Sequence, residues 1–131
     1  MDEQTRNDLI KYRIEKSFNT FKEAKAVAEL NFWNLASNRL YYSVFQMSQA
    51  LLLKKGFPVA KKHSTTIQQF GLHFIKTGLL SREYGKLVHR LFELRMSGDY
   101  DEKFNADKDE VLLNMSQTED LLNEMLKLIN R

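Results

Sequence analysis

Six residues, five glycines and the single proline Pro58, are the only strong backbone breakers in a chain of 131 positions. A fold built from many short strands needs a tight turn every eight to twelve residues, and this sequence does not supply them. Its β-branched residues are few and never alternate with polar ones over the length of a strand. Long helices joined by short connections are the arrangement such a chain can adopt. We therefore expect an all-α fold, a bundle of four to five helices forming one domain over residues 1–131. Cysteine is absent, which removes disulfides, thiolate nucleophiles and cysteine-bound metals together. The longest apolar run, near Ala50–Leu53, is far too short to span a bilayer. The acidic, polar start Met1-Asp2-Glu3-Gln4 is unlike a signal peptide, so a cytoplasmic location and no membrane association are expected.

Hydrophobic spacing divides the chain. Ile10, Ile14, Phe18, Phe21, Ala28 and Phe32 recur with helical period and predict a first helix over about Thr5–Phe32, with Thr5 and Asp8 as its capping pair. The pattern changes phase at 31–34, which predicts a break or bend. A second helix, about Leu35–Lys55, is apolar almost all round and should be the central, most buried one; Gly56 would close it. Residues 57–63 read as a basic loop. A third helix begins near Ser64 or Thr65, with Gln68 placed for a capping box, and stops at Gly78. A fourth runs from Ser81 to about Gly98, a polar loop covers Asp99–Ala106, and a fifth opens with Asp107 and Glu110 in capping-box spacing.

Charge is segregated. Residues 1–33 carry six basic and six acidic groups, residues 34–98 ten basic against two acidic, and residues 99–131 four basic against nine acidic. A basic centre followed by an acidic segment suits a phosphate-bearing partner, or a last helix that neutralises its neighbours.

No glycine-rich phosphate loop, HExxH, GxSxG or repeated Glu-x-x-His pair is present, and His63, His73 and His89 share no metal-ligand spacing. Neither a metal nor a cofactor is expected. The informative position is Arg95, which falls on the apolar stripe set by Val88 and Leu91. A guanidinium there must be paired or must face a cleft, because it does not give up its proton. Asp99, one turn on, is its candidate partner, in a structural ion pair or beside an anion-binding groove. Asn34, Asn38, Arg39 and Tyr42 at the head of the second helix form a second cluster, able to wall the same groove or to remain solvated. Lys54, Lys55, Lys61 and Lys62 bracket the loop ending at His63 and would attract phosphate in a non-specific way. Tyr41, Tyr42 and Phe45 can stack on bases or pack in the core.

The run Ser37-Asn38-Arg39-Leu40-Tyr41-Tyr42-Ser43-Val44-Phe45-Gln46 resembles the second-helix signature of the HEPN domain, in particular of the small stand-alone bacterial and archaeal HEPN proteins. Ala50-Leu51-Leu52, Lys54-Lys55-Gly56-Phe57, His63-Ser64, Phe74-Ile75-Lys76-Thr77-Gly78, and Arg95 followed by Asp99-Tyr100-Asp101 continue the pattern over about residues 30–130. The resemblance implies an up-and-down helical bundle that forms a homodimer, with a cleft at the dimer interface. It also implies a minimal nucleotidyltransferase partner in a toxin–antitoxin pair. Active members of that family are metal-independent ribonucleases with an Arg-x(4–6)-His motif, in which the arginine holds the scissile phosphate and the histidine transfers protons at the ribose 2′-hydroxyl. Arg95 matches the arginine, while Tyr100, Asp101 and Glu102 stand where the histidine would be.

Two functions follow as expectations. The first is a module that binds a nucleotide or RNA, or docks the nucleotidyltransferase, through Asn38, Arg39, Tyr42, Arg95 and Asp99. The alternative is a ribonuclease with a degenerate motif, Arg95 on the phosphate and Tyr100 or His63 in proton transfer. A helical interaction protein, its Arg95–Asp99 pair purely structural, is a third, plainer reading. The resemblance further implies that Tyr100 receives a nucleotide from the partner enzyme.

Overall fold

The computed structural model describes residues 1–131 and contains five α-helices and no strand: α1 (Glu3–Glu29), α2 (Trp33–Lys54), α3 (His63–Phe70), α4 (Arg82–Tyr100) and α5 (Lys108–Ile129). It is an all-α helical bundle, as the scarcity of breakers requires. No helix is long and apolar enough to cross a membrane.

α2 is the axis. Fourteen of its 22 residues are buried, and α1, α3, α4 and α5 all pack against it. Leu40, Met47, Leu51 and Leu52 are wholly enclosed. Burying each such side chain stabilises the fold by roughly 1.5–3 kcal/mol. α1 meets α2 along a strip of small residues, Ser17, Thr20, Ala24 and Ala28, which lets the two backbones approach closely. There the Ser17 hydroxyl donates to the Ser43 carbonyl at 2.6 Å.

The helix ends depart from the sequence reading in several places. Asp2, not Thr5, caps α1: its carboxylate accepts the Thr5 amide at 2.7 Å, whereas Asp8 accepts from the Gln4 side chain. α1 stops at Glu29, and Asn31 takes a left-handed φ of 64°, a conformation asparagine tolerates better than most residues. That turn is the bend expected from the phase change, and it leaves Phe32 outside α1 and 55% exposed. Gly56 closes α2 with a φ of 81°. No side chain caps α3, so the expected Thr65–Gln68 box is not formed. Instead of continuing to Gly78, α3 passes into a π-helical turn, Gly71–Ile75, in which Lys76 N–H donates to the Gly71 carbonyl. The Asp107–Glu110 cap of α5 forms at 3.0 Å.

One difference matters for the site. α4 runs two residues past Gly98, to Tyr100, and Asp101 N–H donates to the Ser97 carbonyl. Asp99 and Tyr100 therefore belong to a helix, and only 101–107 is loop. Asn34 pins that loop: its amide donates to the Phe104 carbonyl at 3.0 Å and accepts the Ala106 N–H at 2.6 Å.

Candidate anion-binding groove

The first four turns of α2, the start of α3 and the last two turns of α4 converge at one place. α2 contributes Asn38, Arg39, Tyr41, Tyr42 and Phe45; α3 contributes His63; α4 contributes Arg95 and Asp99. Helical period explains the selection. Asn38 and Tyr42 are four apart, as are Arg95 and Asp99, so each pair shares a face.

Two guanidinium groups meet at Tyr42. Arg39 lies 5.1 Å from its ring centroid and Arg95 lies 5.6 Å from it, while Arg95 is also 5.5 Å from Tyr41. Aromatic faces attract such cations. Carboxylates and amides hold their other sides. Asn38 accepts from Arg39 Nη2 at 2.9 Å, and Glu23 of α1 stands 3.7 Å from Arg39 Nη1. Asp99 Oδ2 is 3.3 Å from Arg95 Nε, close enough for an ion pair but not aligned for a hydrogen bond, so this buried N–H is left without an acceptor. The Arg95 side chain is 17% exposed. Its charge is thus partly desolvated and only partly compensated, which suits attraction of an anion.

Beside these groups a cavity of about 340 Å³ opens between α2 and α4, lined by Asn34, Leu35, Asn38, Leu94, Arg95 and Asp99 among others. A second, of about 570 Å³, adjoins it through Asn34 and Leu35 and extends past Phe32 and Trp33 to Asn105 and Ala106.

On the α3 side, His63 stacks on Phe45 with centroids 4.1 Å apart, and its Nδ1 is 3.0 Å from the Tyr41 hydroxyl. Burial, and secondarily the Arg95 charge, hold the His63 imidazole below its ordinary pKa. Burial also pushes the Tyr41 phenol above its ordinary value, with Arg95 opposing in part. At neutral pH the site therefore holds a neutral imidazole, a protonated phenol and two guanidinium ions. The exposed Lys61 and Lys62 immediately precede His63.

The residues singled out in the sequence divide clearly. Asn38, Arg39, Tyr42, Arg95, Asp99 and His63 come together. Tyr100 does not join them: at 3.6 residues per turn it lies roughly 140° around α4 from Arg95, and it is 76% exposed. Asn34 is engaged by the 101–107 loop. His73 stacks on Phe57 at 3.7 Å and bonds to Gln69, and His89 pairs with Glu93 at 2.8 Å, so both are accounted for by local contacts. No group of three or more His, Asp or Glu side chains is placed to hold a metal ion. No carboxylate of α5 pairs with a cation of residues 34–98, so the acidic last helix leaves the basic centre unneutralised at contact range.

The sequence reading treated Tyr41 as stacking or core, and the structure adds its bond to His63. The signal was present: a buried tyrosine in an apolar helix needs a partner for its hydroxyl. The second cavity was missed, because Phe32 looked like the last apolar residue of α1.

Comparison with known proteins agrees with this architecture. A family model described as the HEPN domain matches residues 10–129. A protein of Thermotoga maritima named a UPF0332 protein is 34% identical over 121 residues, covering 92% of this chain and 91% of its own. Two Methanocaldococcus jannaschii proteins, each named "Putative toxin", are 34% identical over 87 residues and 33% identical over 97. Those matches cover 66% and 74% of this chain and 64% and 65% of the relatives, slightly under two thirds of each relative's length.

Proposed function

Because the chain belongs to the HEPN domain family, we propose that it is a toxin-like RNA- or nucleotide-binding module whose groove grips phosphate through Arg39 and Arg95. The observation that carries this reading is the convergence of both guanidinium groups on Tyr42, one of them, Arg95, also lining an open cavity. The relatives named as toxins support the toxin-like part of it. The module acts as one domain, in the cytoplasm, as a homodimer whose clefts are completed across the interface. A minimal nucleotidyltransferase is its partner. Tyr100, exposed at the end of α4, is the accessible acceptor for a nucleotide from that enzyme. Co-expression with the partner followed by mass spectrometry should find the added mass on the Tyr100 peptide; an unmodified peptide removes that role.

A second reading is favoured by His63. Metal-free RNA cleavage needs a base to take the ribose 2′-hydroxyl proton while that oxygen attacks phosphorus, and an acid to protonate the departing 5′-oxygen. A neutral imidazole near Arg95 fits the base. Only the tautomer with its hydrogen on Nδ1, donating to the Tyr41 oxygen, leaves Nε2 free to accept. The test is cleavage of structured RNA with EDTA present, using wild type and Arg95→Ala. Salt-sensitive binding without cleavage supports the module. Cleavage by wild type alone selects the ribonuclease and directs attention to His63→Ala.

A further inference from the structure

The larger cavity next to the groove has no part in the reading above, and its lining differs in character. Arg95 and Asp99 give the smaller cavity its charge, whereas Asn31, Phe32, Trp33, Leu35 and Asn105 give the larger one apolar rings and amides. Phe32 is 55% exposed and Leu35 46%, a large apolar exposure for a surface lying beside charged groups. The cavity's far wall is fixed, because both ends of the Asn34 amide are used in holding Phe104 and Ala106. Asn34 and Leu35 line both cavities, so the two lie side by side as a paired depression, its charged member toward α4 and its aromatic member toward the α1–α2 bend. Lys108 stands over the Trp33 ring at 5.8 Å and adds a cation at the aromatic end.

A ligand matching this depression carries an anion at one end and a flat, partly apolar, hydrogen-bonding body at the other. We propose that the cavity bounded by Asn31, Phe32, Trp33, Leu35 and Asn105 is a nucleobase subsite: a nucleotide places its phosphate at Arg95 and its unpaired base against Phe32 and Trp33. This rests on the phosphate reading of Arg95. Stacking on aromatic side chains accepts any base, and the Asn31 and Asn105 amides can meet a base edge with donor or acceptor. The volume of about 570 Å³ lies in the range of small-molecule sites.

The experiment compares adenosine 5′-monophosphate with ribose 5-phosphate on the full chain, by calorimetry at fixed salt. It also follows the emission of Trp33, the only tryptophan. The expected result is that the nucleotide binds about tenfold or more tightly than the baseless sugar phosphate, with a change in Trp33 emission. Phe32→Ala, at an exposed position that lines the larger cavity and not the smaller, should remove that preference and leave ribose 5-phosphate binding as it was. Equal affinity of the two probes for wild type overturns the base subsite alone. Failure of both to bind, or binding unaffected by Arg95→Ala, overturns the phosphate reading and the subsite with it. Phe32→Ala turning a dimer into a monomer while the nucleotide preference persists would assign this face to a second copy of the chain and also overturn the subsite.

Discussion

The Tyr41 hydroxyl and the His63 Nδ1 lie 3.0 Å apart, joining a buried position of α2 to the first residue of α3. This bond places an imidazole beside Arg95 in a setting that disfavours its charged form, first through burial and then through the guanidinium.

A pH dependence follows. The folded-state pKa of His63 lies below the unfolded value of about 6.5, so the folded state binds its proton less readily than the unfolded one. Its contribution to stability is complete above that unfolded value and is lost as pH falls through the folded one. Thermal unfolding of wild type and His63→Gln should show wild type losing more stability than the variant between pH 7 and pH 5. An NMR titration should place the His63 midpoint below 6.5, and Arg95→Ala should move it upward. A midpoint at or above 6.5 would contradict the burial of this ring.

The pair at the end of α4 sets up a competition. If Arg95 is an anion ligand, Asp99 is its resident competitor. Asp99→Asn should then tighten phosphate or RNA binding by about two- to fivefold, the range of a partly exposed ion pair. Arg95→Ala should weaken binding and lower the salt dependence by about one counterion. Weaker binding by Asp99→Asn would mean that the carboxylate chiefly positions the guanidinium.

Asn34→Ala removes two hydrogen bonds across the groove. We expect a loss of about 1–3 kcal/mol, at 0.5–1.5 kcal/mol for each bond. Amide exchange at Phe104–Ala106 should accelerate while α2 and α5 stay protected. Unchanged exchange there would show that the loop is held by other contacts.

Ala24 is fully enclosed on the strip of small residues between α1 and α2. Ala24→Leu inserts three carbons where the helices already touch, and should cost about 1–3 kcal/mol in denaturant unfolding. A neutral result would mean that the two backbones are not in close contact at this level.

Much of the bundle was legible because period and breakers act locally. The apolar surround of α2, the left-handed glycine after it and the Asp107 cap each need only a few neighbouring residues to be read. What escaped depends on tertiary context. Gly98-Asp99 resembles a helix end, yet α4 continues to Tyr100 because its i→i−4 bonds persist through Asp101. That extension keeps Tyr100 on the helix and turns it away from Arg95. The approach of His63 to Tyr41 depends on how residues 55–62 fold back over α2, a path that no local spacing encodes. Arg39 illustrates the same limit, since one of its partners, Glu23, comes from the neighbouring helix.

The close pairing of α1 with α2 also bears on the order in which the molecule is built. Ser17 meets Ser43 within the first 54 residues, through contacts short in sequence separation, the kind that form early. Tyr41 and Tyr42 stand on this hairpin from the start, but the second guanidinium arrives only with α4, and the loop wall held by Asn34 only after residue 106. During synthesis the hairpin can therefore fold well before any cationic groove exists. The α1–α2 scaffold of the groove thus precedes the groove itself, whose second cation and loop wall both come from residues beyond α3.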